Sequence, residues 1–213
     1  MAAEDLNSQN IIDKPEIKQS DSVGSRTGMW LFLYTEIMLF GGLFVLYAAY
    51  YRMYTADFRA AGKELDIVMG TVNTILLLIS SFAVAASITA IQRNTKKIAV
   101  AFLSFAILLG FIFLINKYFE WGHKINLGIF PNSPAMEDSP HGRVMFFALY
   151  YTITGLHGLH IIIGMTLLSV GAVFITLDKI NYKKYVLLEN VGLYWHLVDL
   201  IWIFIFPLFY LIY

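Results

Sequence analysis

"VMFFALYYTITGLHGLHIIIGMTLLSVGAVFIT", residues 144–176, is the stretch on which the fold turns. It carries no Asp, Glu, Lys or Arg, and its apolar residues do not alternate with polar ones. A membrane-crossing helix needs about 20 predominantly apolar residues, and this run exceeds that, so it tilts or reaches into water. Four further runs are as long and predominantly apolar, each with few charged residues: residues 28–50, 66–90, 98–119 and 191–213. All are too long for strands. Lipid accepts only helices or closed barrels, because backbone polar groups have no water to bond there. Barrel strands would alternate in polarity. The sequence therefore predicts an all-α membrane protein, a bundle of five transmembrane helices over residues 27–213, preceded by a polar tail over residues 1–26.

Composition agrees. The chain is 58% hydrophobic and 14% charged, with a mean hydropathy of +0.66; soluble domains are nearer ~25% charged. The net charge of zero gives no basic footprint for nucleic acid. Absence of cysteine excludes disulfides, thiolate zinc, iron–sulfur clusters and covalent c-type haem in this chain. The tail "MAAEDLNSQNIIDKPEIKQSDSVGSR" lacks the basic-then-apolar order of a signal peptide and reads as a mobile segment. Residues 122–142 form the longest connection, and Pro131, Pro134 and Pro140 exclude regular helix from most of it.

Orientation follows from Lys and Arg. The tail has Lys14, Lys18 and Arg26. The second-to-third connection has Arg93, Lys96 and Lys97, and the fourth-to-fifth has Lys179, Lys183 and Lys184. On the other side, Arg52, Arg59, Lys63, Lys117, Lys124 and Arg143 are interspersed with Asp57, Glu64, Asp66, Glu120, Glu137 and Asp138. The expectation is a cytoplasmic N-terminus and an outside C-terminus.

Ionisable groups at membrane depth cost about 2.5–3.5 kcal/mol each on insertion scales, so each needs a reason. Glu36, inside "WLFLYTEIMLFGG", has no basic neighbour in its helix. It is either a carboxyl hydrogen-bonded to a neighbouring helix or a proton-handling or lipid-contacting group. His157 and His160 stand three residues apart, about 60° round one helix face, beside Gly155, Gly158 and Gly164. Side by side, they cannot hold opposite faces of one haem. Small residues admit close helix approach, and histidine can hydrogen-bond across such a contact. His196 and Asp199 share the same spacing in the last span, beside Trp195 and Trp202. Together these residues form a candidate polar helix-packing network, and Asp199 is the natural partner for one of the histidines. A metal site would need ligands from more helices; a hydrogen-bonded cluster satisfies the groups without one. Glu120 and His123, in "EWGH", match half of a di-iron pattern that requires two copies. They read as an interfacial cluster, with Trp121 in the aromatic belt. No catalytic or metal-ligating residue is assigned.

Three motifs, "GMWLFLYTEIMLFGGLF", "TGLHGLHIIIGM" and "YWHLVDLIWIFIFPLFYL", taken in this order, resemble subunit III of the haem–copper respiratory oxidases, in its five-helix form. The resemblance implies the cytochrome c oxidase subunit III fold and a non-catalytic role. Haem and copper would lie in partner subunits, subunit I being the catalytic one, with subunit II and a small subunit IV alongside. It also implies bound phospholipid, support of complex stability and of sustained proton uptake, and residence in the bacterial plasma membrane. Glu36 matches the family's buried reactive carboxyl near the lipid site, and His157, His160, Trp195, His196, Asp199 and Trp202 match its packing core. Thr35 stands where serine is frequent and Leu39 where an aromatic is common. The longer form's first two helices, which wall its lipid cleft, have no counterpart here. Cytochrome c oxidase of the aa3 or caa3 type is the first choice. A quinol oxidase subunit III and a homologous protein associated with nitric oxide reduction are the alternatives. An independent carrier or channel is the rival from another class, built on Glu36, Asn73 and the histidines.

Overall fold

The structure, a computed structural model, describes residues 16–213 apart from Asn132, Asp138, Lys183 and Tyr213. The first fifteen residues of the expected mobile tail lie outside the described residues, as does the last residue of the fifth predicted span. The chain divides into two units, Met1–Met38 and Leu39–Tyr213.

Six α-helices are described: α1 (Glu16–Met53), α2 (Thr55–Gly62), α3 (Ile67–Gln92), α4 (Lys96–Asn126), α5 (His141–Thr176) and α6 (Val186–Tyr210). Five are long and apolar enough to cross a membrane: α3, α4, α5, α6 and the Val23–Met53 part of α1. No strand occurs among the described residues. Each of these helices overlaps one of the five apolar runs, several extending beyond it, and α1 already begins inside the segment read as tail. The short α2 is not announced by any apolar run; it is polar overall and buries only Phe58, Ala61 and Gly62.

In the first unit, α1 exposes Trp30, Leu31, Phe32, Tyr34, Ile37 and Met38, as a lipid-exposed helix does. Thr35 turns its hydroxyl back to the Phe32 carbonyl (2.7 Å).

In the second unit, α3 packs on α4 and α6, and α5 packs on α4 and α6, so these four helices close a ring. Large aromatics fill it: Phe113, Phe146, Phe147, Trp195, Trp202 and Phe209 are all fully buried. Small residues make room for them. A Cβ on Gly70 would meet Tyr210 at 2.8 Å, and one on Gly192 would meet Ile88 at 2.8 Å. The α2 helix lies against α5, where Phe58 meets Phe146 edge-on at 5.4 Å and Gly142 leaves space for Tyr54 and Asp57. The C-terminal part of α1 is tied to α6: the Tyr47 hydroxyl donates to the Leu208 carbonyl (2.6 Å) and its ring meets Phe209 at 5.0 Å.

The helix ends follow local chemistry. Asp66 caps α3, its Oδ1 accepting from the backbone N–H of Val68 (2.9 Å) and Met69 (3.2 Å), which satisfies two of the otherwise unpaired first-turn donors. Asn94 adopts φ 59° in the tight α3–α4 turn, a left-handed conformation that asparagine tolerates well. The connection 127–140, read from its prolines as non-helical, contains one short 3-10 turn, Pro134–Met136.

Candidate functional site

Polar side chains in the ring of α3–α6 fall into three groups. The first is built on Trp195 of α6. Its indole lies where Gly110 of α4 and Gly164 of α5 leave space: Cβ atoms there would stand 3.0 Å and 2.7 Å from it. Its Nε1 donates to Ser80 Oγ of α3 (3.0 Å), and Ser80 donates to the Ala106 carbonyl of α4 (3.2 Å). One aromatic side chain thus touches three neighbouring helices, in the close approach that small residues permit inside membranes. Nearby, Tyr194 donates to the His160 carbonyl (3.3 Å).

The second group surrounds the histidines. His160 Nδ1 lies 2.7 Å from the Leu156 carbonyl on its own helix, and its ring meets Phe40 at 5.3 Å. His157 is fully buried, between Phe113 (5.6 Å) and Trp202 (5.1 Å), and neither ring nitrogen has a hydrogen-bond partner. Trp202 donates through Nε1 to Thr74 Oγ1 (3.0 Å). His196 turns towards α3, where its Nδ1 sits 2.6 Å from Ser81 Oγ. Ser81 also approaches the buried Asp199 carboxyl, yet neither Asp199 oxygen has a hydrogen bond of normal geometry. The expected bond between Asp199 and a histidine is therefore not drawn. Side-chain-to-side-chain bonds between helices here include those of Trp195, Trp202 and His196, each to a hydroxyl of α3, and Asn116 donating to Asn73 (2.9 Å).

The third group lies near the C-terminal end of α4. Lys117 and Glu120 form an ion pair (3.0 Å) with side chains only 8% and 4% exposed. Lys117 Nζ also donates to Tyr150 of α5 (3.0 Å) and Tyr210 of α6 (2.9 Å). Both phenols donate to Glu120 Oε1, at 2.7 Å and 2.6 Å. The ammonium lies 5.4 Å from the Trp202 ring centre, a distance at which the ring's negative face attracts a cation. Glu120 is buried and bonds inward to the ring, whereas His123, one turn on, is exposed; both line the cleft at this end of α4. Trp121, placed in the aromatic belt, packs over Gly155 and meets Tyr151 at 5.3 Å. Farther out, Arg143 forks onto both oxygens of Glu64 (3.0 Å each), and Lys124 donates to the Glu64 carbonyl (2.9 Å). The Lys117-x-x-Glu120 spacing is the sequence signal for this pair; nothing local announces Tyr210, ninety residues on.

Glu36 lies mid-α1 in the first unit and is partly exposed. Among the described residues, no three His, Cys, Asp or Glu side chains are grouped to hold a metal ion.

Five apolar helices whose buried polar groups serve mainly helix–helix contact define a multi-pass α-helical membrane protein. The family model of Cytochrome c oxidase subunit III matches residues 14–213, and the chain belongs to that family. A cytochrome c oxidase subunit 3 of Synechocystis is 30% identical over 187 residues, covering 87% of this chain and 74% of the relative. A cytochrome bo(3) ubiquinol oxidase subunit 3 of Pseudomonas aeruginosa is 29% identical, covering 90% and 87%. A haem–copper oxidase subunit I+III of Aeropyrum pernix is 27% identical over 88% of this chain, which spans only 22% of that longer relative.

Proposed function

We propose that the chain is a non-catalytic subunit III of a proton-pumping haem–copper terminal oxidase, first of all a cytochrome c oxidase of the aa3 or caa3 type. The carrying observation is the match over nearly the whole chain to subunit 3 proteins of similar length. The Aeropyrum relative, named as subunit I+III, carries both subunits' names on one polypeptide, which supports a place beside the catalytic subunit I. Subunit II, a small subunit IV and bound phospholipid complete the proposed assembly in a bacterial plasma membrane. The inward-turned polar groups support a packing role over a carrier or channel: Lys117, Glu120, Trp195 and Trp202 each bond to a neighbouring side chain.

A quinol oxidase is the second reading, favoured by the Pseudomonas aeruginosa relative at nearly the same identity. Purification through a tag on the full chain separates the two. A haem- and copper-bearing subunit I should co-purify, with a subunit II whose copper-A signal marks the cytochrome c type and whose lack of it marks the quinol type. Isolation of the chain alone, carrying its own stoichiometric haem, would overturn the proposal. Glu36 is proposed to support sustained turnover beside lipid. Glu36→Gln should leave the optical spectrum of the complex intact and shorten the time over which it keeps its activity. Loss of the haem signal would assign Glu36 a different role.

A further inference from the structure

The Lys117–Glu120–Tyr150–Tyr210 group has a hydrogen-bond arrangement that a plain helix contact does not require. The three ammonium protons of Lys117 go to Glu120 Oε2, Tyr150 and Tyr210. The two phenol protons go to Glu120 Oε1. Each phenol oxygen therefore accepts one bond and donates one, and both carboxylate oxygens are used. The same framework serves the neutral pair. If the N–H bond towards Glu120 breaks, its electron pair stays on Lys117 and an O–H bond forms at Oε2. The new carboxylic acid then donates to the amine across the same 3.0 Å. The remaining four bonds keep their direction, the net charge is unchanged, and no heavy atom has to move. Burial brings the two forms closer in energy, because the cost of desolvating two charges offsets much of their attraction. Replacing such a pair by apolar residues is often no loss of stability, so packing alone does not demand it.

The group also has a way out. Glu120 lines a cleft of about 350 Å³ between the start of α3 and the end of α4, together with Asp66, Met69, Phe119, His123 and Lys124. His123 and Asp66 at its rim are exposed. The titratable groups acting on the ring from around it are Lys124 of α4, Tyr151 and His157 of α5, and Asp66 ahead of α3.

We propose that the ring of Lys117, Glu120, Tyr150 and Tyr210 is a proton-exchange site, holding one labile proton that is shared between Lys117 and Glu120 and renewed from water through this cleft. Its chemistry does not depend on which oxidase the chain serves. The test reads the chain's own vibrations, so its failure would leave the subunit III reading standing.

The experiment is isotope-edited infrared spectroscopy of the full complex in membranes, with labelled glutamate, after transfer into D2O. Carboxyl and carboxylate bands should both be present, the carboxyl band should shift on deuteration, and both should disappear in Glu120→Gln. Met69→Trp, which narrows the cleft from the α3 side and leaves all four ring residues in place, should keep the bands and slow their deuteration. Persistence of the bands in Glu120→Gln would overturn the proposal, as would deuteration no faster than that of core amides. An unchanged rate in Met69→Trp would do the same. Should Glu120→Gln fail to assemble, the comparison of the native chain with Met69→Trp decides alone.

Discussion

Two glycines of α5, Gly158 and Gly164, face different demands. A Cβ on Gly164 would stand 2.7 Å from the Trp195 ring, inside contact distance, and that ring is already held by its bond to Ser80. A Cβ on Gly158 has only Leu114 nearby, at 3.9 Å. Overpacking a filled site costs about 1–3 kcal/mol. Gly164→Ala should therefore lower the thermal stability of the assembled protein by an amount of that order, while Gly158→Ala changes it by roughly 0.5 kcal/mol or less. Equal effects on thermal unfolding would show that the Trp195 slot is not the tight contact. From the sequence, both glycines read alike, as small residues on a histidine-bearing face. What separates them is the position of Trp195, thirty-one residues further on, which spacing along α5 cannot disclose. The histidines were prominent for their rarity in lipid, yet His157 ends among aromatic rings. The indoles of Trp195 and Trp202 make the bonds to α3 instead.

The long helices were legible because each is a run of apolar residues no other lipid-compatible structure could use. α2 was not, since an eight-residue helix with Asp57 and Arg59 in it has no such run and is held by Phe58 packing on Tyr47 and Phe146. Nor was the pairing order of helices, which lies in contacts such as Ser80 bridging Trp195 and Ala106. That bridge can be measured. Hydrogen bonds between helices in membranes are worth about 0.6–2 kcal/mol. In a double-mutant cycle, Ser80→Ala and Trp195→Phe should show coupling of that size, because both remove the same bond. Strict additivity in unfolding free energy would mean that the 3.0 Å contact contributes nothing to holding α3 against α6.

At the scale of the whole chain, the open question of sidedness is sharpened by where the cations sit. Lys and Arg counts bias orientation when they lie in short loops and near span ends. By sequence alone nine Lys and Arg fall on one side and six, interspersed with acids, on the other, a moderate bias. The structure removes Lys117 and Lys124 from the α4–α5 connection: both lie within α4 and are buried, one in the ring with Glu120 and one against the Glu64 carbonyl. On that side Arg143 stands in the first turn of α5, Arg52 in the last turn of α1, Arg59 in α2 and Lys63 just after it. On the opposite side, Arg93 lies in the α3–α4 turn, Lys96 and Lys97 open α4, and Lys179, Lys183 and Lys184 fall between α5 and α6. We propose on this balance that these two connections face the cytoplasm and the α6 C-terminus the outside. Absence of native cysteine makes the test clean. A thiol introduced by Lys97→Cys, at the exposed start of α4, should react with a membrane-impermeant maleimide only after cells are opened. One introduced by Leu127→Cys, at its other end, should react in intact cells. The reverse pattern would invert the topology, and labelling of both from one side would contradict α4 as a membrane-crossing helix.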